Sequence, residues 1–338
     1  RLFAQGVDVA LGATLGLWDA ARPPPVRNAW WRRMSRYLAT CATNRHKPVT
    51  IGVFGKYVAR QSDAYLSLRR AIMHAGQALN SPVAIEWIDT DELDPSDARC
   101  AERFNVLDAI VVPGGFGIRG FEEKVAVAAY ARAYGVPFLG LCLGFQAAVV
   151  EYARAEAGLA GASSEEFLAD TSDARERPLV IASMPETDKT KLGGTMRLGI
   201  CWTRLHPDSL AYELYKNYGD GSNNNECHCD NKIYDEVMYE RHRHRYEVAP
   251  EYVDALEGAG LVFSGTDCDH TGCGREVGTR MEILELPRWV HPFFVACQFH
   301  PEYRSSVSAP HPLFIGLVRA ALQPTSCSPS SPRRTPPS

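Results

Sequence analysis

No apolar run in this sequence approaches the ~20 residues that a helix needs to cross a bilayer, which argues against a membrane-spanning chain. Nor does its opening show, in order, the charged, apolar and small-residue segments of a secretory signal. An excess of basic residues is missing too. With 36 Lys and Arg against 40 Asp and Glu, the formal net charge of −4 speaks against a general nucleic-acid binder. There is no G-x-x-x-x-G-K-[ST] phosphate loop and no internal repeat. The ten cysteines follow no framework spacing, so free thiols in a reducing cytoplasm are expected rather than disulfides.

What is present is the composition of an ordinary globular protein, 45% hydrophobic and 22% charged over 338 residues, enough to bury a sizeable core. Residues 1–46 read as linker material, because the break at Pro23-Pro24-Pro25 stops any helix and only a short helical piece follows it. The chain opens on Arg1 rather than Met, as expected of a segment of a longer polypeptide. One domain is expected over 47–322, with polar insertions near 217–236 and 267–278. The Ser/Pro-rich tail at 323–338 has too little apolar surface to bury and should be disordered.

Within the domain, strands alternate with helices. Apolar runs predict strands at 49–55, 83–88, 109–112, 137–141 and 293–299. Helical spacing predicts helices over 64–79, 121–134 and 143–152. That alternation predicts an α/β fold, a doubly wound and mostly parallel sheet with helices on both faces.

Three segments carry chemistry. In Gly140-Leu141-Cys142-Leu143-Gly144 a buried strand runs into a glycine-flanked cysteine and then a helix. This is the cysteine form of a nucleophile elbow, and the helix N-terminus favours a thiolate. Taken alone, the same pattern also fits a buried structural cysteine. In Gln298-Phe299-His300-Pro301-Glu302, residues two apart point the same way in extended chain, and Pro301 biases His300 toward that conformation. An imidazole base oriented by a neighbouring carboxylate suits this pair; a surface pair is the plain alternative. The glycine cluster Pro113-Gly114-Gly115-Phe116-Gly117 could turn backbone N–H groups toward a developing oxyanion, with Gly115 and Leu143 as the donors, or form a simple turn.

Together these motifs resemble the triad-type class I glutamine amidotransferases over about 48–322, and hence imply a flavodoxin-like sheet. Within that family the resemblance is to the CTP synthase group. Its further segments are Gly55-Lys56-Tyr57, DAYLS at 63–67, 112–120, GGTMRLG at 193–199, ERHRHRYE at 240–247 and ACQFHPE at 296–302. One departure is Phe145, where the family's elbow has Met, a side chain expected near the pocket.

The resemblance implies roles position by position. Cys142, His300 and Glu302 would be the catalytic triad. Gly115, Phe116, Leu143, Gln146, Glu166 and Arg245 would bind glutamine, with Glu166 on its amino group and Arg245 on its carboxylate. A zwitterion needs one anion and one cation, so that division is physically sensible. Arg119, Thr195 and Arg197 would lie near a GTP effector. No metal or cofactor is implied for this domain. ATP, UTP and Mg²⁺ would serve an N-terminal synthetase domain of the same chain, and the full-length protein would be a homo-oligomer, a tetramer, with neither nucleic acid nor membrane as partner. Other readings stay open: a GMP synthetase-type amidotransferase, a γ-glutamyl hydrolase, or a non-catalytic interaction or filament module. The 241–245 run could also be a basic nucleic-acid patch, and Cys227, His228, Cys229, Cys268 and Cys273 invite a zinc hypothesis, although neither spacing is a standard structural-zinc pattern.

Overall fold

The computed structural model describes residue 14 and residues 29–43, 47–56, 64–93, 103–168, 177–184, 196–219, 236–268 and 278–323. Most of the two expected insertions, residues 1–13, and the tail from 324 lie outside these, as do Thr195, Cys227, His228, Cys229 and Cys273.

Helix α1 (Ala29–Thr43) precedes β1 (Val49–Gly55), α2 (Leu66–Ala78), β2 (Val83–Asp89), β3 (Ala109–Val112), α3 (Phe121–Tyr134), β4 (Phe138–Leu141) and α4 (Leu143–Ala155). Then come β5 (Ser163–Ser164), β6 (Leu179–Ser183), β7 (Arg197–Leu205), α5 (Leu210–Tyr218), β8 (Val237–His244) and β9 (Tyr246–Val248). Helix α6 (Val253–Gly258), β10 (Val262–Cys268), β11 (Met281–Glu285), β12 (Phe294–Cys297) and α7 (Pro312–Ala321) complete the order.

A nine-stranded sheet runs β2-β1-β3-β4-β12-β11-β10-β7-β8. Its first five strands pair in parallel, the flavodoxin-like order. The other four extend it antiparallel, and β5-β6-β9 form a separate small sheet. The period-2 pleat splits the apolar strands between two cores. Phe138, Phe294 and Ala296 pack with α3 and α4 on one face. Leu139, Leu141, Val295 and Cys297 pack with α2, α5 and α7 on the other. Each fully buried Val, Leu or Phe side chain contributes about 1.5–3 kcal/mol. No helix among the described residues is long and apolar enough to cross a membrane.

Helix α3 shows how local sequence sets boundaries. It begins after Gly120 and stops at Gly135, both with left-handed backbone, with Glu122 and Glu123 in the first turn and Arg132 in the last. Arg132 then reaches Glu151 of α4 through Nη2 at 2.8 Å and Nε at 2.9 Å. This ion pair ties α3 to the helix that carries the nucleophile turn.

Candidate active site

The carboxyl ends of β3, β4 and β12 lie side by side, where ligands bind in open parallel sheets. These ends deliver the glycine loop, Cys142 and His300. Cys142 sits between β4 and α4 at φ 51° and ψ −98°, a backbone strain of the kind stored at nucleophile turns. Close packing makes that turn possible. A Cβ on Gly144 would meet the Val112 carbonyl oxygen at 2.1 Å, and one on Gly140 would meet Gly144 backbone at 2.7 Å. Leu143 is the first residue of α4, so its N–H has no acceptor within the helix and remains available at the turn.

Glu302 Oε1 lies 2.8 Å from His300 Nδ1, so Nδ1 carries the proton and Nε2 is left for the sulfur. Burial pushes the imidazole pKa down, but the Cys142 charge, the Glu302 charge and hydrogen bonds to both raise it to about 11. The site therefore favours the protonated imidazole at His300. Tyr303 stacks on the His300 ring with centroids 5.3 Å apart. Gly114 lies so close that a Cβ there would touch His300 Cε1 at 2.8 Å.

The glycine loop is held from two sides. Glu166 Oε1 accepts from the Gly117 N–H at 2.9 Å, while Lys56 Nζ donates to the Phe116 carbonyl at 2.9 Å. Burial raises the Glu166 pKa, against the Gly117 N–H, Lys56 and Arg245, which favour its charge. An anion and a cation thus stand within interaction range beside the loop, as a zwitterionic ligand requires. Gln146 is almost fully buried, and its Nε2 donates to Gln298 Oε1 at 3.3 Å. Phe145 is completely buried in the core with α3 and α4.

The two described effector candidates are engaged elsewhere. Arg119 Nε pairs with Asp91 Oδ2 at 3.1 Å on the surface. Arg197 turns inward to a buried ion pair with Glu282. Of the 241–245 run, residues 241–244 end β8 and Arg245 follows in a bend. The pleat separates the four: Arg241 and Arg243 face solvent, and His242 and His244 face inward. Burial lowers both histidine pKa values, that of His244 to about 3. His242 and His244 are therefore neutral and hydrogen-bonded to each other at 3.0 Å.

The free edge of β8 carries no side-chain signature in the sequence. This terminal strand curls back onto the site and offers alternate carbonyls to it. Arg304 Nη1 donates to the Tyr239 oxygen, His300 N donates to Arg241 O at 2.8 Å, and Cys142 Sγ lies 3.7 Å from Arg243 O. Inside the strand, Glu240 accepts from Tyr215 Oη at 2.8 Å and from His311 Nε2 at 2.9 Å.

The pattern of the glutamine amidotransferase class-I family matches residues 61–320. The chain belongs to that family. Among similar proteins, a CTP synthase of Natronomonas pharaonis is 43% identical over 95% of this chain and 50% of its own length. A CTP synthase of Thermosynechococcus vestitus is 45% identical over 91% of this chain and 49% of its own. The chain thus spans about half the length of the curated relatives it matches. A solved structure, the glutaminase domain of Trypanosoma brucei CTPS with bound acivicin, is 33% identical with a TM-score of 0.65, covering 81% of this chain and 93% of that one. The half represented here is the glutamine amidotransferase half.

Proposed function

We propose that this chain hydrolyses L-glutamine to glutamate and ammonia through Cys142, His300 and Glu302. The observation that carries the reading is the strained Cys142, hydrogen-bonded to a His300 that Glu302 orients. The thiolate attacks the side-chain amide carbon, and the new oxyanion is received by the N–H groups of Gly115 and Leu143. The His300 imidazolium gives its Nε2 proton to the departing ammonia as the C–N bond breaks, leaving a γ-glutamyl thioester. Water then yields a proton to His300 and adds to the thioester, and collapse releases glutamate and restores the ion pair. Glu166 receives the substrate ammonium and Arg245 its carboxylate, while Phe116 and Gln146 complete the glutamine site.

In the whole protein the ammonia would serve an N-terminal synthetase domain that aminates UTP to CTP with ATP and Mg²⁺. GTP would act as effector near Arg119, Thr195 and Arg197, and the protein would be a cytoplasmic homo-oligomer, a tetramer. Glutamine-dependent ammonia release, measured with the wild-type chain and Cys142→Ala, tests the reading. Release by the wild type alone supports it; release by both contradicts it. Formation of CTP from UTP by the full-length protein tests the wider assignment.

A further inference from the structure

Cys142 is 4% exposed, so little water reaches its sulfur to solvate a negative charge. One neighbour, the Arg243 carbonyl oxygen at 3.7 Å, suits a thiol proton but repels a thiolate. Another is Gln298, whose Nε2 also lies 3.7 Å from Sγ. Gln298 follows β12 and is 1% exposed, with its backbone N–H bound to the Glu282 carbonyl at 2.8 Å. Its Oε1 accepts from Gln146 Nε2 at 3.3 Å. The buried Gln146 Oε1 is left without a protein partner.

The polarity of this row follows from the sulfur. A thiolate only accepts hydrogen bonds, so the amide must present its NH₂ group to Sγ. Its Oε1 then faces Gln146, which must present an NH₂ group in turn. Reversing Gln298 would place two negative ends together in a site with little solvent to screen them.

Building on the reading of Cys142 as nucleophile, we propose that Gln298 is a further catalytic residue, donating an amide N–H to the thiolate, with Gln146 as the positioning residue that keeps the amide turned that way. His300 supplies the countercharge and one donor, and Gln298 a second, uncharged donor. When sulfur becomes the leaving group in thioester hydrolysis, the same donor stabilises the departing anion. The other ionisable groups near the sulfur are Glu302 behind His300, which as a carboxylate can only accept, and Cys297 in the core beneath, whose thiol burial keeps protonated and which donates to the Phe299 carbonyl at 3.6 Å.

The test is the pH dependence of Cys142 alkylation by iodoacetamide, read by peptide mapping in the wild-type chain and in Gln298→Met, Gln298→Glu and Gln146→Met. Thermal melting serves as the check on folding. Gln298→Met removes one hydrogen bond to a charged group, so alkylation near neutral pH is expected to fall about 10- to 100-fold. The midpoint of its pH profile should rise by about one to two units. Gln298→Glu should fall further, because a carboxylate then faces the thiolate, and Gln146→Met should lie between Gln298→Met and wild type. If the variants alkylate at the wild-type rate with an unshifted profile, the donor role of Gln298 is overturned while the nucleophile stands. Should wild-type Cys142 show no preferential alkylation, the nucleophile assignment fails first and takes the proposal with it. If Gln298→Met does not fold, Gln146→Met decides by the same shift.

Discussion

Cys142 Sγ and the Arg243 carbonyl oxygen lie 3.7 Å apart, although β4 and β8 stand five places apart in the sheet. The antiparallel half must curl back for its last strand to reach the parallel half. An edge strand carries unpaired carbonyls, and here those of Tyr239, Arg241 and Arg243 are taken up by Arg304, His300 and Cys142. The edge of β8 is therefore part of the alignment of the triad.

Arg304 is the side chain that closes this edge, since it also lies over the Tyr239 ring at 4.0 Å. Arg304→Met should lower kcat for glutamine hydrolysis about tenfold while KM changes little, because alignment is lost rather than ligand contacts. Arg304→Lys keeps the charge but not the planar fork and should recover only part of the loss. Steady-state kinetics of both variants check this. A pure rise in KM would contradict an alignment role.

Two glycines should fail in different ways. At Gly144 the added methyl meets backbone that cannot move aside, so Gly144→Ala should destabilise the fold by roughly 3 kcal/mol or more. At Gly114 it meets the edge of the His300 ring, so Gly114→Ala should melt close to wild type yet lose most of its activity. Melting curves and ammonia release, measured on the same samples, separate the two.

The raised pKa of His300 depends on its partner. Against burial, the Cys142 charge is its strongest upward influence, followed by Glu302. Removing the sulfur in Cys142→Ala should therefore bring the imidazole titration well down from about 11. The His300 ring proton shift followed against pH by NMR reads this directly, and an unchanged titration would show that the pair does not interact.

Much of this was legible in the sequence. Helix α3 has the bounds that its spacing predicts, because glycines mark both ends. The elbow and the His-x-Glu pair were visible since each is local, and β4 and β12 are adjacent partners, which brings them together. The antiparallel half was not legible: its pairings are long-range, and the β8 carbonyls have no side-chain signature. Gln298 stood inside a recognised motif, but only the fold shows its amide facing sulfur. Phe145, expected at the pocket, is in the core because the helical turn that presents Gln146 toward β12 aims Phe145 at α3.

Lys124 is fully buried beside Thr90, and burial together with the nearby Lys56 charge lowers its pKa to about 7. The unfolded chain keeps that proton up to the ordinary value near 10.5. Between these values the unfolded state binds more protons, so stability rises with pH from about 7 to 10.5, and below about 7 the full cost of the buried charge is present. Lys124→Met should therefore melt higher than wild type at pH ~6, with the gain shrinking toward pH ~10. Thermal melts across that range check the sign, and a variant less stable at low pH would contradict it.

A formed glutamine site should present Cys142 as its nucleophile. Labelling with a glutamine-mimicking diazo-ketone, followed by peptide mapping, tests it most directly. Modification confined to Cys142 and blocked by excess glutamine is the predicted result. Label spread over several cysteines, or label that glutamine fails to block, would contradict it.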